Sequence, residues 1–166
     1  MVLTSFQLFF IFLLFVGFII VVAIFAFRYR SKNVLQVARE LGWKAYTSEE
    51  SIPVEYQDLG EKILQFQSFE WLMVGEVQGK KVFFTQYITT RLSQWRYEYA
   101  IFSLFDTPFS DEKLEPVKTK HKLPPDFLVT RAGIFFSHGI PWKITHQNIF
   151  PIIEQVVEIR NQIESR

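Results

Sequence analysis

The stretch that decides how this chain is organised is LFFIFLLFVGFIIVVAIFAF, residues 8–27. It holds no charged or polar side chain, and apart from Gly17, Ala23 and Ala26 it consists of Leu, Ile, Val and Phe. A helix of this length spans roughly 30 Å, the thickness of the hydrocarbon core of a bilayer. The large apolar residues together favour insertion by about 5 to 10 kcal/mol. We therefore expect a transmembrane helix, with residues 1–30 as the anchor and its flanks.

Two other interpretations of this stretch fit less well. A cleaved signal peptide has a positively charged start and an apolar core of roughly 7–15 residues. Here no charge precedes Leu8, and Ile24 stands where a small residue is needed for cleavage after Ala26. A helix buried in a soluble core is seldom apolar on every side over this length. A retained anchor is therefore the favoured interpretation.

The flanks of the apolar stretch predict its orientation. No Lys or Arg precedes it, whereas Arg28, Arg30, Lys32 and Arg39 follow closely. Basic residues beside a membrane helix stay on the cytoplasmic side. We therefore expect a single-pass protein of the inner (plasma) membrane, with the N-terminus outside and residues 31–166 in the cytoplasm.

Residues 31–166 are numerous enough to form one soluble domain with a hydrophobic core. The chain contains no Cys, which excludes disulfides, thiolate nucleophiles and metals bound by Cys. Its formal net charge is only +1. A nucleic-acid-binding domain is usually strongly basic, so the composition argues against a nucleic acid partner.

Helical spacing of apolar residues occurs at both ends of this domain. Ser31 is placed to cap a helix that runs to about Leu41, and Gly42 is placed to end it. Asn148 is placed to cap a final amphipathic helix, with Pro151 in its first turn. The predicted buried face of that final helix is Ile149, Ile152, Ile153, Val156, Val157, Ile159 and Ile163, and the predicted exposed face is Glu154, Glu158, Arg160 and Glu164.

The residues between these helices show the alternation of β-strands. A polar loop over 47–62 contains one helical turn from Pro53. Gln78-Gly79-Lys80 predicts a tight hairpin, and residues 89–95 predict a longer connection. Alternate residues of 96–105 face opposite sides of the predicted strand. Both sides are partly apolar, as in a central strand of a sheet. A β-region opens loosely at 63–69, and strands are predicted at 71–77, 81–88, 96–105, 127–130 and 134–137.

The predicted class is therefore α+β. The expected order is an N-terminal transmembrane helix, a second helix, an antiparallel meander of about five strands and a C-terminal amphipathic helix.

Short motifs carry a resemblance to a known group of proteins. They are Leu41-Gly42-Trp43, the Gly-x-x-x-Gly hairpin from Gly75 to Phe84, the aromatic strand and polar turn from Tyr87 to Arg96, and Leu123-Pro124-Pro125-Asp126-Phe127. On these residues the chain resembles an uncharacterised family of bacterial single-pass membrane-anchored α+β proteins. The likeness covers most of residues 34–164. It implies one α+β domain behind a membrane helix, and it implies no activity.

No group of residues has the pattern of a catalytic or metal site. His121, His138 and His146 lack the spacing and the acidic or Cys partners of a zinc site. Ser137, His138 and Asp126 can be written as a triad, but any chain of this size offers such a trio. There is no nucleophile elbow and no glycine-rich phosphate loop. We predict no catalytic, cofactor-binding or metal-binding residue and no cofactor, and an enzyme is the less favoured class.

Charge is unevenly distributed along the domain. Acids outnumber bases from Tyr46 to Glu76, and bases outnumber acids from Lys113 to Lys143. Two solvated loops are the ordinary explanation. The alternatives are that the basic segment faces anionic lipid, or that both segments steer a partner. Glu70 and Glu76 can also be paired as acid and base, although acids on strand surfaces are usually solvated. The residues predicted to contact lipid or a partner are Arg28, Arg30, Lys32, Arg91, Trp95, Arg96, Lys118, Lys120 and Lys122.

Two functions from different classes fit these observations. The first is a cytoplasmic interaction module, an accessory or scaffolding component of a membrane assembly. The second is a membrane-proximal domain that binds lipid or a small ligand. A membrane-bound hydrolase is a third and less favoured function. The predicted partners are the lipid bilayer and a membrane protein, and the sequence leaves the oligomeric state open.

Overall fold

The computed structural model describes residues 5–59, 68–91, 94–110, 114, 126–137 and 144–165. The chain divides into two compact units, one up to Asn33 and the other from Val34 onward.

The first helix, α1, extends from Ser5 to Leu41. The prediction of a separate helix capped by Ser31 is therefore wrong, because Ser31 lies inside α1. Most of the described apolar side chains between Phe9 and Phe25 are exposed, from 48% at Ile24 to 71% at Phe25. Within the described part of the chain, no helix combines the length and the apolarity that a membrane crossing requires.

A six-stranded antiparallel sheet forms the centre of the second unit. Its strands are β1 (Lys44–Tyr46), β2 (Ser68–Val77), β3 (Lys80–Arg91), β4 (Gln94–Leu104), β5 (Phe127–Val129) and β6 (Gly133–Phe136). Their order across the sheet is β1-β2-β3-β4-β6-β5. The remaining elements of this unit are a 3-10 turn (Glu49–Ser51), α2 (Val54–Leu59) and α3 (His146–Glu164).

The α+β class is confirmed, and the strand boundaries differ from the prediction in several places. β1 was not predicted, since three residues are too few to show an alternation. The predicted connection over 89–95 is wrong for most of its length, because β3 continues to Arg91 and β4 begins at Gln94. β2 begins at Ser68, and the rest of the loose β-region over 63–69 lies outside the described residues.

The hairpin between β2 and β3 is confirmed as a two-residue turn at Gln78 and Gly79. Both residues have positive φ, +52° and +75°. This conformation matches the right-handed twist of the paired strands, and glycine adopts it most easily. The turn fixes the register of β2 on β3, with Val77 opposite Lys80.

Alternate residues of the strands belong to two separate apolar clusters. Ile101 of β4 lies in the cluster that contains α3 and the end of α1, and Phe102 lies in the other. In that second cluster Phe102 stacks between Phe83 and Phe135, at ring-centroid distances of 4.9 and 5.4 Å. The prediction of a central β4 with two buried faces is confirmed.

The end of α1 shows why the motif Leu41-Gly42-Trp43 is present. Gly42 has a φ of +70°. Its N–H donates to the carbonyl of Arg39, and the N–H of Trp43 donates to the carbonyl of Ala38. This is the pattern of a helix closed by a left-handed glycine. The chain then turns Trp43 into the core, where its indole lies against Gly75 of β2.

The cap of α3 differs from the prediction. The N-cap is Thr145, whose hydroxyl accepts from the N–H of Asn148, and the Asn148 side chain accepts from the N–H of Thr145. Asn148 is therefore the third helical residue of a capping box. Because α3 begins at His146, Pro151 lies in the second turn. There it removes a backbone donor, so the prediction that Pro151 lies in the first turn is wrong.

Replacing Gly75 by Ala should lower the free energy of unfolding by about 1–3 kcal/mol, because a Cβ there overlaps the buried indole of Trp43. Urea unfolding followed by circular dichroism measures the loss. The control is Gly75→Ala in a Trp43→Leu background, where the same change should cost less. An equal loss in both backgrounds would show that the indole is not the cause.

Candidate functional site

Among the described residues of the second unit, Arg160 on α3 is a charged side chain that is buried. The prediction that Arg160 lies on the exposed face is wrong, since the residue is only 2% exposed. Its Nη1 donates to Ser103 Oγ at 3.0 Å and its Nη2 to Asp106 Oδ1 at 2.7 Å. Its Nε donates to Glu164 Oε1 at 2.9 Å. A buried guanidinium is stabilised only when partners of this kind receive its donors.

Lys80 completes this group, which we call the Arg160 cluster (Lys80, Ser103, Asp106, Arg160 and Glu164). Lys80 Nζ lies 2.6 Å from Glu164 Oε2 and 3.3 Å from Asp106 Oδ2. The first contact is an ion pair without hydrogen-bond geometry. Two cations and two carboxylates therefore alternate, and the cluster is neutral. It joins the start of β3 and the end of β4 to the last turn of α3.

The backbone around the Arg160 cluster holds Ser103 in place. Ser103 Oγ donates to the carbonyl of Lys81 at 2.7 Å, so its lone pairs remain available to Arg160. On β6, Gly133 lies against the carbonyl of Ser103, where any Cβ would overlap. The glycine therefore allows β6 to approach β4 closely at this position.

Contacts within the Arg160 cluster shift the pKa values of Asp106, Glu164 and Lys80. The hydrogen bond from Arg160, followed by that from Lys80, lowers the pKa of Asp106. Burial raises the pKa of Glu164, but the contacts with Lys80 and Arg160 outweigh it and the net shift is downward. Contact with Glu164 raises the pKa of Lys80. Each group is thus held in its charged form by its neighbours.

A shallow polar cavity lies beside the Arg160 cluster, between α3 and the β2–β3 turn. Its volume is about 630 Å³. One hydrogen bond joins two of its lining residues, from Asn161 Nδ2 to Gln78 Oε1 at 3.1 Å. Another lies along the helix, from Gln162 Nε2 to Glu158 Oε1 at 3.2 Å. The lining residues are Gln78, Glu154, Glu158, Asn161, Gln162 and Ser165.

The residues predicted to contact lipid or a partner lie in three places. Arg28, Arg30 and Lys32 belong to α1, and the Lys32 side chain is exposed. At the β3–β4 hairpin, Arg91 is opposite Gln94, Trp95 is opposite Thr90, and Arg96 is opposite Thr89. The structure thus brings this trio together at one end of two paired strands and not in a loop. The third set, Lys118, Lys120 and Lys122, lies outside the described residues.

The predicted catalytic alternatives gain no support from the arrangement. His146 begins α3 and stacks on Phe150 at 4.9 Å. Glu76 is exposed and lies opposite Lys81. His121 and His138 lie outside the described residues. In the portion of the chain that is described, no three His, Cys, Asp or Glu side chains are grouped as metal ligands.

Comparison of the chain with protein-family models, with curated proteins and with solved structures found no match. The resemblance carried by Leu41-Gly42-Trp43 and the other motifs therefore stays a prediction. The structure itself shows a neutral cluster around one buried guanidinium, which holds α3 on the sheet, and a polar cavity beside it.

Arg160→Met should lower the free energy of unfolding by about 2–4 kcal/mol, because it leaves Ser103 and Glu164 without their buried partner. Arg160→Lys keeps the charge and should cost less. Arg39→Met, at an exposed position, is the matched control and should change little. Urea titration of the three variants measures this order. Equal stability of Arg160→Met and the parent would exclude a structural role for the cluster.

Acid should weaken the Arg160 cluster. The folded-state pKa values of Asp106 and Glu164 lie below their ordinary values of 3.8 and 4.5. The contribution of these carboxylates is therefore complete above the ordinary values and is lost as pH falls through the folded-state values. We expect the free energy of unfolding to fall below about pH 4.5. Glu164→Gln should make this fall smaller.

The measurement is urea unfolding of the purified chain at several pH values between neutrality and acid. Glu158→Gln serves as the control, since Glu158 is exposed and contacts Gln162 and not Arg160. If both variants show the same acid dependence as the parent, Glu164 does not contribute to it.

Proposed function

We propose that residues 8–27 anchor this protein in the inner (plasma) membrane and that the second unit is an interaction module. In this proposal the protein is an accessory or scaffolding component of a membrane assembly. The observation that carries it is the exposed apolar surface of α1 between Phe9 and Phe25. In the sequence, the apolar run continues beyond this surface to Phe27.

The exposed apolar surface of α1 is unfavourable in contact with water. Fully burying one large apolar side chain stabilises by roughly 1.5–3 kcal/mol, so leaving a whole row in water is costly. Exposed patches of this extent on a chain mark contact with a membrane or with another protein. The uniform apolarity of the run favours the membrane, because a protein partner usually covers one face only.

The basic residues that follow the run support one orientation. Arg28 and Arg30 come directly after Phe27, and no Lys or Arg precedes Leu8. In our proposal the N-terminus is therefore outside, and residues 31–166 are in the cytoplasm.

The charged residues support interaction more than catalysis. Within the described residues, the buried charged side chain is Arg160, and its partners neutralise it. Such a closed set of ion pairs fixes α3 on the sheet and offers no general acid or base to a substrate. The well-packed sheet and helices then act as a rigid support for surface contacts.

The parent chain should be recovered with membranes and resist alkaline extraction, whereas the variant Leu14→Arg/Val21→Arg should be released. Each arginine near the centre of the run costs about 2.5–3.5 kcal/mol of insertion free energy. Fractionation followed by immunoblotting measures the distribution. The control Val54→Arg/Leu128→Arg places the same charges at exposed positions of the second unit and should stay with the membranes.

A reporter that is active only outside the cytoplasm, fused after Arg166 of the parent chain, tests the orientation. It should be silent, and the same reporter fused before the apolar run should be active. Activity after Arg166 would overturn the orientation and leave anchoring intact. Recovery of the parent in the soluble fraction would overturn the anchor itself.

A further inference from the structure

The polar cavity between α3 and the β2–β3 turn has walls that are fixed before anything binds. α3 is held by its buried side and by Arg160. The β2–β3 turn is tied to α3 by the hydrogen bond from Asn161 to Gln78. Gln78 itself keeps a φ of +52°, a conformation that glycine would adopt more easily. A preformed wall loses little conformational freedom on binding.

The charge of this cavity has one sign. Among the described lining residues the charged ones are Glu154 and Glu158, both exposed, and the others are amides and a hydroxyl. The nearby cations do not neutralise them. Lys80 is paired with Asp106 and Glu164, and Arg160 is paired with the same two carboxylates. The cavity therefore presents a negative potential together with several hydrogen-bond acceptors.

From this complementarity we infer that the cavity binds a cationic segment of a protein partner, one that bears Arg or Lys side chains. A guanidinium or ammonium group can pair with Glu154 and Glu158 while the amides of Gln162 and Asn161 bind its peptide groups. The volume, about 630 Å³, is in the range of sites for small ligands and leaves room for an Arg or Lys side chain. This inference rests on the proposed interaction role and adds the chemistry of the partner.

The test uses the full-length chain in a non-ionic detergent and a fluorescein-labelled nonapeptide of alternating Arg and Ser. Fluorescence anisotropy at low salt measures the dissociation constant. Glu154→Gln/Glu158→Gln should raise it roughly tenfold, because two exposed ion pairs are lost. Glu40→Gln/Glu50→Gln removes the same charge from exposed positions outside the cavity and should change it by less than about twofold.

A second variant examines the wall of the cavity. Gln78→Gly keeps the turn, since glycine accepts the positive φ, and removes the side chain that faces Asn161. We expect an unchanged or higher melting temperature and a peptide dissociation constant raised a few-fold. These shifts, with the larger effect of Glu154→Gln/Glu158→Gln, support the inference.

Two results would overturn it. One is an absence of peptide binding by the parent chain, and the other is an equal weakening by the cavity variant and by Glu40→Gln/Glu50→Gln. The second result would mean that the peptide responds to overall charge. Neither changes membrane fractionation, so the proposed anchor and the proposed cationic partner fail separately.

Discussion

The second unit depends on one buried guanidinium. Arg160 is in the apolar interface between α3 and the sheet, where an unpaired charge would be strongly destabilising. Its donors are received by Ser103 on β4, by Asp106 after β4 and by Glu164 on its own helix. The bonds to Ser103 and Asp106 fix both the rotation of α3 and its position along the sheet. Apolar contacts alone tolerate some sliding, whereas two directional hydrogen bonds between the helix and the sheet do not.

A steric constraint accompanies this polar one. Gly75 leaves room for the Trp43 indole, and Gly133 leaves room for the carbonyl of Ser103. Both glycines are in strands, where the residue is otherwise unfavourable, so close approach explains their presence. The first lets the end of α1 seat on β2, and the second brings β6 against β4 beside Arg160. Close packing and the buried charge therefore meet at Gly133, which lies against the carbonyl of Ser103.

Much of this unit could be predicted from the sequence where the signal is local. The alternation along β4, the turn at Gln78-Gly79 and the apolar stripe of α3 all depend on neighbours within a few residues. The burial of Arg160 was not predicted, because a charged side chain on a helix was assumed to be exposed. Its spacing contained the correct signal, since it follows Val156 by one helical turn and precedes Ile163 by three residues. The partners that make its burial tolerable are 54 and 57 residues away and leave no local trace.

The same long separation has a consequence for the order of folding. The strands up to β4 can pair locally, because β2, β3 and β4 are joined by short connections. The part of one face that α3 covers, however, stays open until α3 has been synthesised and has docked. Closing a loop of this length costs entropy that the earlier hairpins do not face. A nascent chain that stops before Thr145 would therefore hold a formed meander with an apolar face only partly covered by the end of α1, which is the kind of intermediate that chaperones recognise.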